Sequence, residues 1–333
     1  MTASRYDVLG IGNAIVDVIA RAEDDFLVAQ GMHKGAMALI DEARAKAIYE
    51  AMGPATESSG GSAANTIAGV ASFGARAAFV GKVKDDELGK VFAHDIRSNN
   101  VNFDTKPATE GPSTARCYIM VTPDGERTMN TYLGAAQDLR PADIDEAQVA
   151  AAEVVYLEGY LWDPPQAKEA FVKASQIAHK NGRRVALTLS DAFCVDRYRG
   201  EFLDLIRKGT VDIVFANEHE LRSLYETADF DTGAKALQQD AKLAVVTRSE
   251  KGCVVIGKDG MTAVAAAPIE QVADVTGAGD LFAAGFLVGL ARGKDHRTAA
   301  RLGGLAAAEV IQHIGARPAV SLKALAAESG LAV

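Results

Sequence analysis

The sequence predicts an α/β protein, a three-layer α/β/α sandwich around a mostly parallel central sheet, with a small β-sheet lid. Three observations carry that prediction. Short apolar, β-branched runs alternate with amphipathic stretches of helical period. The runs read as buried on both faces, as parallel strands between crossover helices are. Two stretches break the alternation and read as strands joined by turns.

The elements follow in order. Tyr6–Ile11 is the first strand, and 77–81, 154–157, 184–189, 211–215 and Leu243–Thr247 continue the sheet. Helices are expected over 62–73, 86–99, 165–181 and 218–226, with an apolar helix over 281–291 and another over 298–313. The exceptions are 31–41 and 113–132, where Pro123-Asp124-Gly125 marks a hairpin turn. They place a lid in 19–41 and 112–133, over a core of 1–18, 42–111 and 134–333. The segment 52–61, with Gly53, Pro54 and Gly60-Gly61, reads as a loop.

Composition narrows the function. The 333 residues are 48% apolar and 24% charged, the mix of a globular chain able to bury its own core. A net charge of -9 argues against a nucleic-acid partner. It does not exclude an anionic nucleotide, which a helix N-terminus can hold locally. Cys117, Cys194 and Cys253 are odd in number and far apart, which points to reduced thiols in a cytoplasmic protein. Asp7 and Asp17 bracket the first apolar stretch, so it reads as a strand and not a signal peptide. The apolar run 281–291, bounded by Asp280 and Arg292, is too short to span a membrane.

Five strings carry candidate chemistry. Asp274-Val275-Thr276-Gly277-Ala278-Gly279-Asp280 ends where a helix begins. Its glycines let backbone N–H groups point at an anion, and the helix terminus adds positive charge. If the anion is a transferring phosphoryl group, Asp280 can take the proton of the attacking hydroxyl. The plainer alternative is a turn followed by a helix cap. Gly60-Gly61-Ser62-Ala63-Ala64-Asn65 offers close backbone approach and an amide in a first helical turn, or simply a Ser N-cap. Gly10-Ile11-Gly12-Asn13-Ala14-Ile15-Val16-Asp17 is a partial dinucleotide fingerprint with Ile15 where a third small residue belongs. Its Asp17 can accept hydrogen bonds from adjacent hydroxyls. Asn217-Glu218-His219-Glu220 follows a strand, as a charged helix start would. Thr247-Arg248, with Gly252 beyond, ends another. There is no Walker A loop, nucleophile elbow or protein-kinase signature.

Together these strings resemble the ribokinase (PfkB) family of carbohydrate and nucleoside kinases, from Asp17 to the helix over 298–313. Val275 departs slightly from that family's pattern. The resemblance implies an anion hole at Gly277, Ala278 and Gly279, with Asp280 as catalytic base. It implies that Asp17, Asn13, Gly60, Gly61, Ser62 and Asn65 hold the substrate. Thr247, Arg248, Gly252 and Thr276 would contact ATP, and Asn217 and Glu220 would position Mg²⁺ largely through water. Relatives often bind potassium in the region of Asp274, Thr276 and Gly315.

Within the family, the opening 12–17, the string 187–193 and Gly125-Glu126-Arg127-Thr128 are most similar to adenosine kinases. Arg127 would lie over the phosphates when the lid closes. A nucleobase needs an apolar, stacking slot, for which Tyr132, Leu133, Tyr160, Leu161 and Trp162 are candidates. Trp162 has the alternative of packing in the core. The expectation is transfer of the γ-phosphate of ATP to the 5′-hydroxyl of a nucleoside, adenosine to AMP, in purine salvage. A kinase of ribose, fructose or a keto-deoxy sugar, or of guanosine or inosine, is the alternative. An NAD-dependent oxidoreductase on Gly10 and Gly12, or a nucleotide sensor without catalysis, would be a different class. Monomer and homodimer both stay open.

Overall fold

A computed structural model describes residues 5–331 and 333. Its strands are β1 Tyr6–Ile11, β2 Ile15–Arg21, β3 Met37–Leu39, β4 Ala55–Gly60, β5 Ala77–Val80, β6 Val101–Asn102, β7 Ala115–Val121, β8 Arg127–Tyr132, β9 Ala152–Glu158, β10 Arg184–Thr188, β11 Ile213–Asn217, β12 Leu243–Thr247, β13 Cys253–Gly257 and β14 Gly260–Val264. Nine of them form one sheet in the order β14-β13-β12-β11-β10-β9-β1-β5-β6. From β6 to β12 all pairings are parallel, and β13 and β14 close one edge as an antiparallel hairpin.

The parallel strands are mostly apolar because helices cover both faces. Side chains alternate in direction along a strand. Val8 of β1 and Val154 of β9 therefore join a core with Phe79, Phe215 and Phe286, beneath helices Ser62–Ser72, Ala278–Ala291 and His296–Val310. Their neighbours Leu9 and Val155 join a second core with Leu187, Phe171 and Phe202, beneath helices Pro165–Lys180 and Ala192–Arg207. This is the three-layer sandwich that the alternating pattern predicts.

The other five strands form a separate sheet in the order β3-β8-β7-β2-β4. β2 leaves the large sheet through Gly12-Asn13-Ala14 and runs parallel to β7. The β7–β8 turn closes with Gly125 N–H donating to Thr122 C=O, and Gly125 has φ +86°. A left-handed residue there is best supplied by glycine.

One expectation is corrected. The segment read as a loop over 52–61 contains β4, paired antiparallel to β2 from Ile15↔Gly60 to Ala20↔Ala55. Its sequence ATESSG shows no apolar alternation, and its first three residues are exposed. Backbone pairing to β2 makes the strand, so side-chain pattern could not reveal it. The small sheet therefore draws on residues 15–60 as well as 115–132. A short helix, Asp24–Ala29, also lies within the segment 19–41 assigned to the β lid.

Candidate active site

The strings singled out above converge at the carboxyl ends of the large sheet's parallel strands, where open α/β sheets bind ligands. Helix Ala278–Ala291 starts there, with Gly277 as its N-cap at φ +80°. A Cβ on Gly277 would lie 2.8 Å from Ala316 Cα, so both conformation and space demand glycine. Leu281 N–H donates to Gly277 C=O at 2.8 Å, the first bond of the helix. Amides earlier in the turn have no helical acceptor. Gly279 is exposed, and nothing lies within 4 Å of where its Cβ would stand. Ala278 N–H reaches Val275 C=O at 3.3 Å, and the remaining N–H groups of this turn form an open cradle for an anion.

Asp280 stands in the first turn beside that cradle. Ser62 Oγ donates to Asp280 Oδ1 at 2.6 Å, and Asn65 Nδ2 approaches Oδ2 at 3.4 Å. The strings 274–280 and 60–65, far apart in sequence, thus meet side chain to side chain. Burial pushes the Asp280 carboxyl up to about 7, and the charges of Glu158 and Asp17 add to it, against the hydrogen bonds of Ser62 and Asn65. Burial likewise pushes Asp17 up to about 6, with Arg317 and Arg127 pulling the other way. The Asp17 carboxylate lies where a side chain on Gly60 would point, so Gly60 is the space it fills. Gly61, at φ +97°, turns the chain from β4 into helix Ser62–Ser72.

Two residues of this region carried no sequence signal. Glu158 ends β9 at 1% exposure. Its Oε1 accepts from Asn13 Nδ2 at 2.6 Å and Asn13 N at 3.3 Å, and its Oε2 accepts from Ala63 N at 2.8 Å. It ties the end of β1 to the start of helix Ser62–Ser72. Arg317, two residues past Gly315, donates from Nε to Asn65 Oδ1 at 3.3 Å and from Nη1 to Asp95 Oδ2 at 3.2 Å.

At the end of β11, Asn217 caps helix Glu218–Tyr225. Its Oδ1 accepts from the N–H groups of His219 and Glu220, and its own N–H donates to Glu220 Oε2 at 3.0 Å. Both Glu220 oxygens are engaged by Asn217, and burial pushes the Glu220 carboxyl up to about 7. This reciprocal pair is a capping box. No group of three or more His, Cys, Asp or Glu able to hold a metal ion occurs among the described residues. The donor set fits Mg²⁺ as an outer partner through water and does not fit direct ligation.

The PfkB family carbohydrate kinase model matches residues 41–323. The chain belongs to this family. It is 57% identical to a structure of adenosine kinase from Sinorhizobium meliloti, covering 98% of this chain and 100% of that one, with a TM-score of 0.91. It is 54% identical to a probable sugar kinase from Rhizobium etli, covering 98% and 99%, with a TM-score of 0.92. It is 31% identical over 241 residues to a probable chloroplastic fructokinase-6 of Arabidopsis thaliana, covering 70% of this chain and 62% of that protein. As a PfkB kinase the chain is a small-molecule phosphotransferase. No described helix is long and apolar enough to cross a membrane.

Within this PfkB kinase, several expected residues stand elsewhere than the strings suggested. The Asn13 side chain is buried, with Nδ2 donating to Glu158 and Oδ1 without a hydrogen-bond partner. Arg248 lies 3.7 Å over the Phe230 ring, with Nη2 3.4 Å from Glu218. Gly252, at φ +83°, leaves no room for a side chain against the backbone of Val264 and Ala265. Thr247 Oγ1 reaches Ala216 C=O at 3.5 Å.

Trp162 is 4% exposed, tilted against Phe171 and Phe202, with Nε1 donating to Glu201 at 2.9 Å. It belongs to the core under the outer helices and lines no base slot. Leu161 is buried in the same core. Tyr160, at 40% exposure, is the aromatic of that trio left open, braced by Ser190 through its N–H at 3.1 Å and its hydroxyl at 3.3 Å. Tyr132 is buried under the Arg116 guanidinium, 4.8 Å from its ring, and Leu133 is half-buried.

Arg127, at the start of β8, is buried and paired with Asp274. Asp274 Oδ1 also accepts from Thr276 N at 2.9 Å and Oδ2 from Gly315 N at 3.0 Å. Burial opposes its charge, but these bonds together hold the Asp274 carboxyl below its usual range. In this structure the charge of Asp274, beside Thr276 and Gly315, is met by Arg127.

Proposed function

We propose that this PfkB kinase transfers the γ-phosphate of ATP to the 5′-hydroxyl of a nucleoside, converting adenosine to AMP. One observation carries the reaction type: the Asp280 carboxylate, pushed up to about 7, lies between the open amide cradle and the hydroxyl-binding candidates Asp17, Gly61 and Asn65. A base with that acidity is matched to proton transfer near neutral pH. The likeness to the Sinorhizobium adenosine kinase supports the nucleoside acceptor.

The ribose hydroxyls would rest on Asp17, Gly61 and Asn65, placing the 5′-oxygen beside Asp280. Asp280 accepts that hydroxyl's proton as the oxygen bonds to the γ-phosphorus and the bond to the leaving ADP oxygen breaks. Amides at Gly277, Ala278 and Gly279 would hold the developing negative charge. Mg²⁺, bound with the phosphates, supplies further charge neutralisation, with Asn217 and Glu220 orienting its waters. Thr276 would add a polar contact to the phosphates, and Tyr160 a face for the base. The small sheet serves as a lid. On closure Arg127, at its edge, would exchange Asp274 for phosphate. The cysteines are free and buried, which suits a reducing compartment, and we place the reaction in the cytoplasm, in purine salvage.

A second reading, a sugar kinase of the same family, is favoured by the likeness to the Rhizobium etli protein and the fructokinase. ATP- and Mg²⁺-dependent ADP release, measured with adenosine, guanosine, inosine, ribose and fructose, separates the two. Release with adenosine and not with free sugars is expected. Release with a free sugar alone would overturn the nucleoside acceptor while leaving the roles of Asp280 and the cradle intact.

A further inference from the structure

Arg317 stands behind the candidate substrate-holding residue Asn65 and touches neither Asp280 nor the amide cradle. Its Nε donates to Asn65 Oδ1 at 3.3 Å, while Asn65 Nδ2 faces Asp280 Oδ2 at 3.4 Å. A guanidinium only donates and a carboxylate only accepts, so the two neighbours fix which way the Asn65 amide points. Rotating it by half a turn would set oxygen against carboxylate and NH₂ against guanidinium.

The guanidinium is itself held. Arg317 Nη1 donates to Asp95 Oδ2 at 3.2 Å. The same carboxylate oxygen accepts from Ser59 N at 2.9 Å and from Ser59 Oγ. Ser59 lies in β4, the edge strand of the small sheet, immediately before Gly60 and Gly61. Asp95 belongs to helix Glu87–Ser98 of the large unit. The chain Ser59–Asp95–Arg317–Asn65–Asp280 thus runs from the small sheet to the reacting carboxylate. Arg317 Nη2 is buried and has no hydrogen-bond partner. Bringing a charge and an unpaired donor inside costs stability, which packing alone would not call for.

We propose that Arg317 is a positioning residue which, anchored by Asp95 to strand β4, sets the Asn65 amide against Asp280 and so links the small sheet to the base. The proposal rests on the reading of Asp280 as the base. Around Asp280 stand Glu158 from β9, Asp17 from β2 and the hydroxyls of Tyr156 and Tyr160, and around Arg317 stand Asp95 and Asp17. Without Arg317, Asn65 is free to turn its oxygen to Asp280, which weakens the charged carboxylate.

The test uses the full chain with adenosine and ATP, comparing wild type with Arg317→Met, Asp95→Asn and Asp280→Asn. For Arg317→Met, kcat should fall by about 10- to 100-fold, the cost of a small misplacement at a reacting centre. The KM for ATP should be unchanged, and the acid limb of the pH profile should move to higher pH. Asp95→Asn, the milder change, should move kcat and the acid limb in the same directions by less, and decides the matter if Arg317→Met does not fold. Unchanged kcat and acid limb, with only a lower melting temperature, would overturn the positioning role. Turnover retained by Asp280→Asn would instead overturn the base on which it rests.

Discussion

At Asp280 the chain keeps a carboxylate where burial and two neighbouring carboxylates oppose its charge. That opposition has consequences for rate and stability. With Asp280 as the proposed base, the free enzyme would need it ionised, so kcat/KM should fall below about pH 7, by tenfold per pH unit for one proton. In the proposed role of Asp17, pushed up to about 6, its charge holds the hydroxyls, so the fall should steepen below about pH 6. A pH profile flat from 5 to 8 would contradict both. For stability, a carboxyl raised in the folded state binds its proton more tightly there than in the unfolded chain. Its contribution is present at pH values below the unfolded value of 3.8 and is lost as pH rises through about 7. Asp280→Asn should therefore abolish turnover, melt higher than wild type at pH 8, and lose that advantage near pH 4, as calorimetry at the two pH values would show. Asp280 was legible because it ends a seven-residue string, whereas Glu158 and Arg317 are single charged residues whose meaning depends on folded neighbours.

The elements teach a similar lesson about what patterns carry. β1, β9 and β12 announce themselves because both faces are buried and their residues are apolar. β4 does not, since half of it is exposed and β2 alone defines it. Capping signals were readable: Asp86 accepts from Gly89 N at 2.8 Å where the helix over 86–99 was expected to start. Trp162 was ambiguous because strand ends face both crevice and core, and Glu201, distant in sequence, decides its side. Glu158 is the element-scale joint, fastening β1 to the helix that presents Ser62 and Asn65. Glu158→Ala would leave the Asn13 side chain and the Ala63 amide without an acceptor, and buried groups so stranded cost about 1–3 kcal/mol each. Urea unfolding should show a loss of that size. The kcat should fall as well, since Ser62 and Asn65 lose their seat.

Across the whole molecule, the two sheets divide the work and a few side chains join them. The parallel strands of the large sheet are covered by helices, and its carboxyl end carries Asp280 and the amide cradle, the base and anion site proposed above. The small sheet has an exposed edge at β3, with Met37 and Leu39 open, and reaches the site through Asp17, Gly60 and Arg127. On the large side Arg127 meets Asp274, a buried ion pair whose two charges are costly to separate unless each finds another partner. Phosphate can serve as the partner for Arg127, while the amides of Thr276 and Gly315 go on holding Asp274. The small sheet should accordingly be the less protected unit without ligands and tighten when acceptor and nucleotide bind together. Hydrogen exchange, read by mass spectrometry, tests this directly. Amides of β7 and β8 should slow with adenosine plus a non-hydrolysable ATP analogue, and slow less with either alone. Strands β1 and β9, already closed in by helices, should not change. In Arg127→Met the added slowing from the nucleotide should be lost while that from adenosine persists, because only the phosphate contact has been removed. Equal slowing in that variant and wild type would mean that the lid closes without Arg127, and that the Asp274 pair is a fixed strut and not a partner exchanged for phosphate.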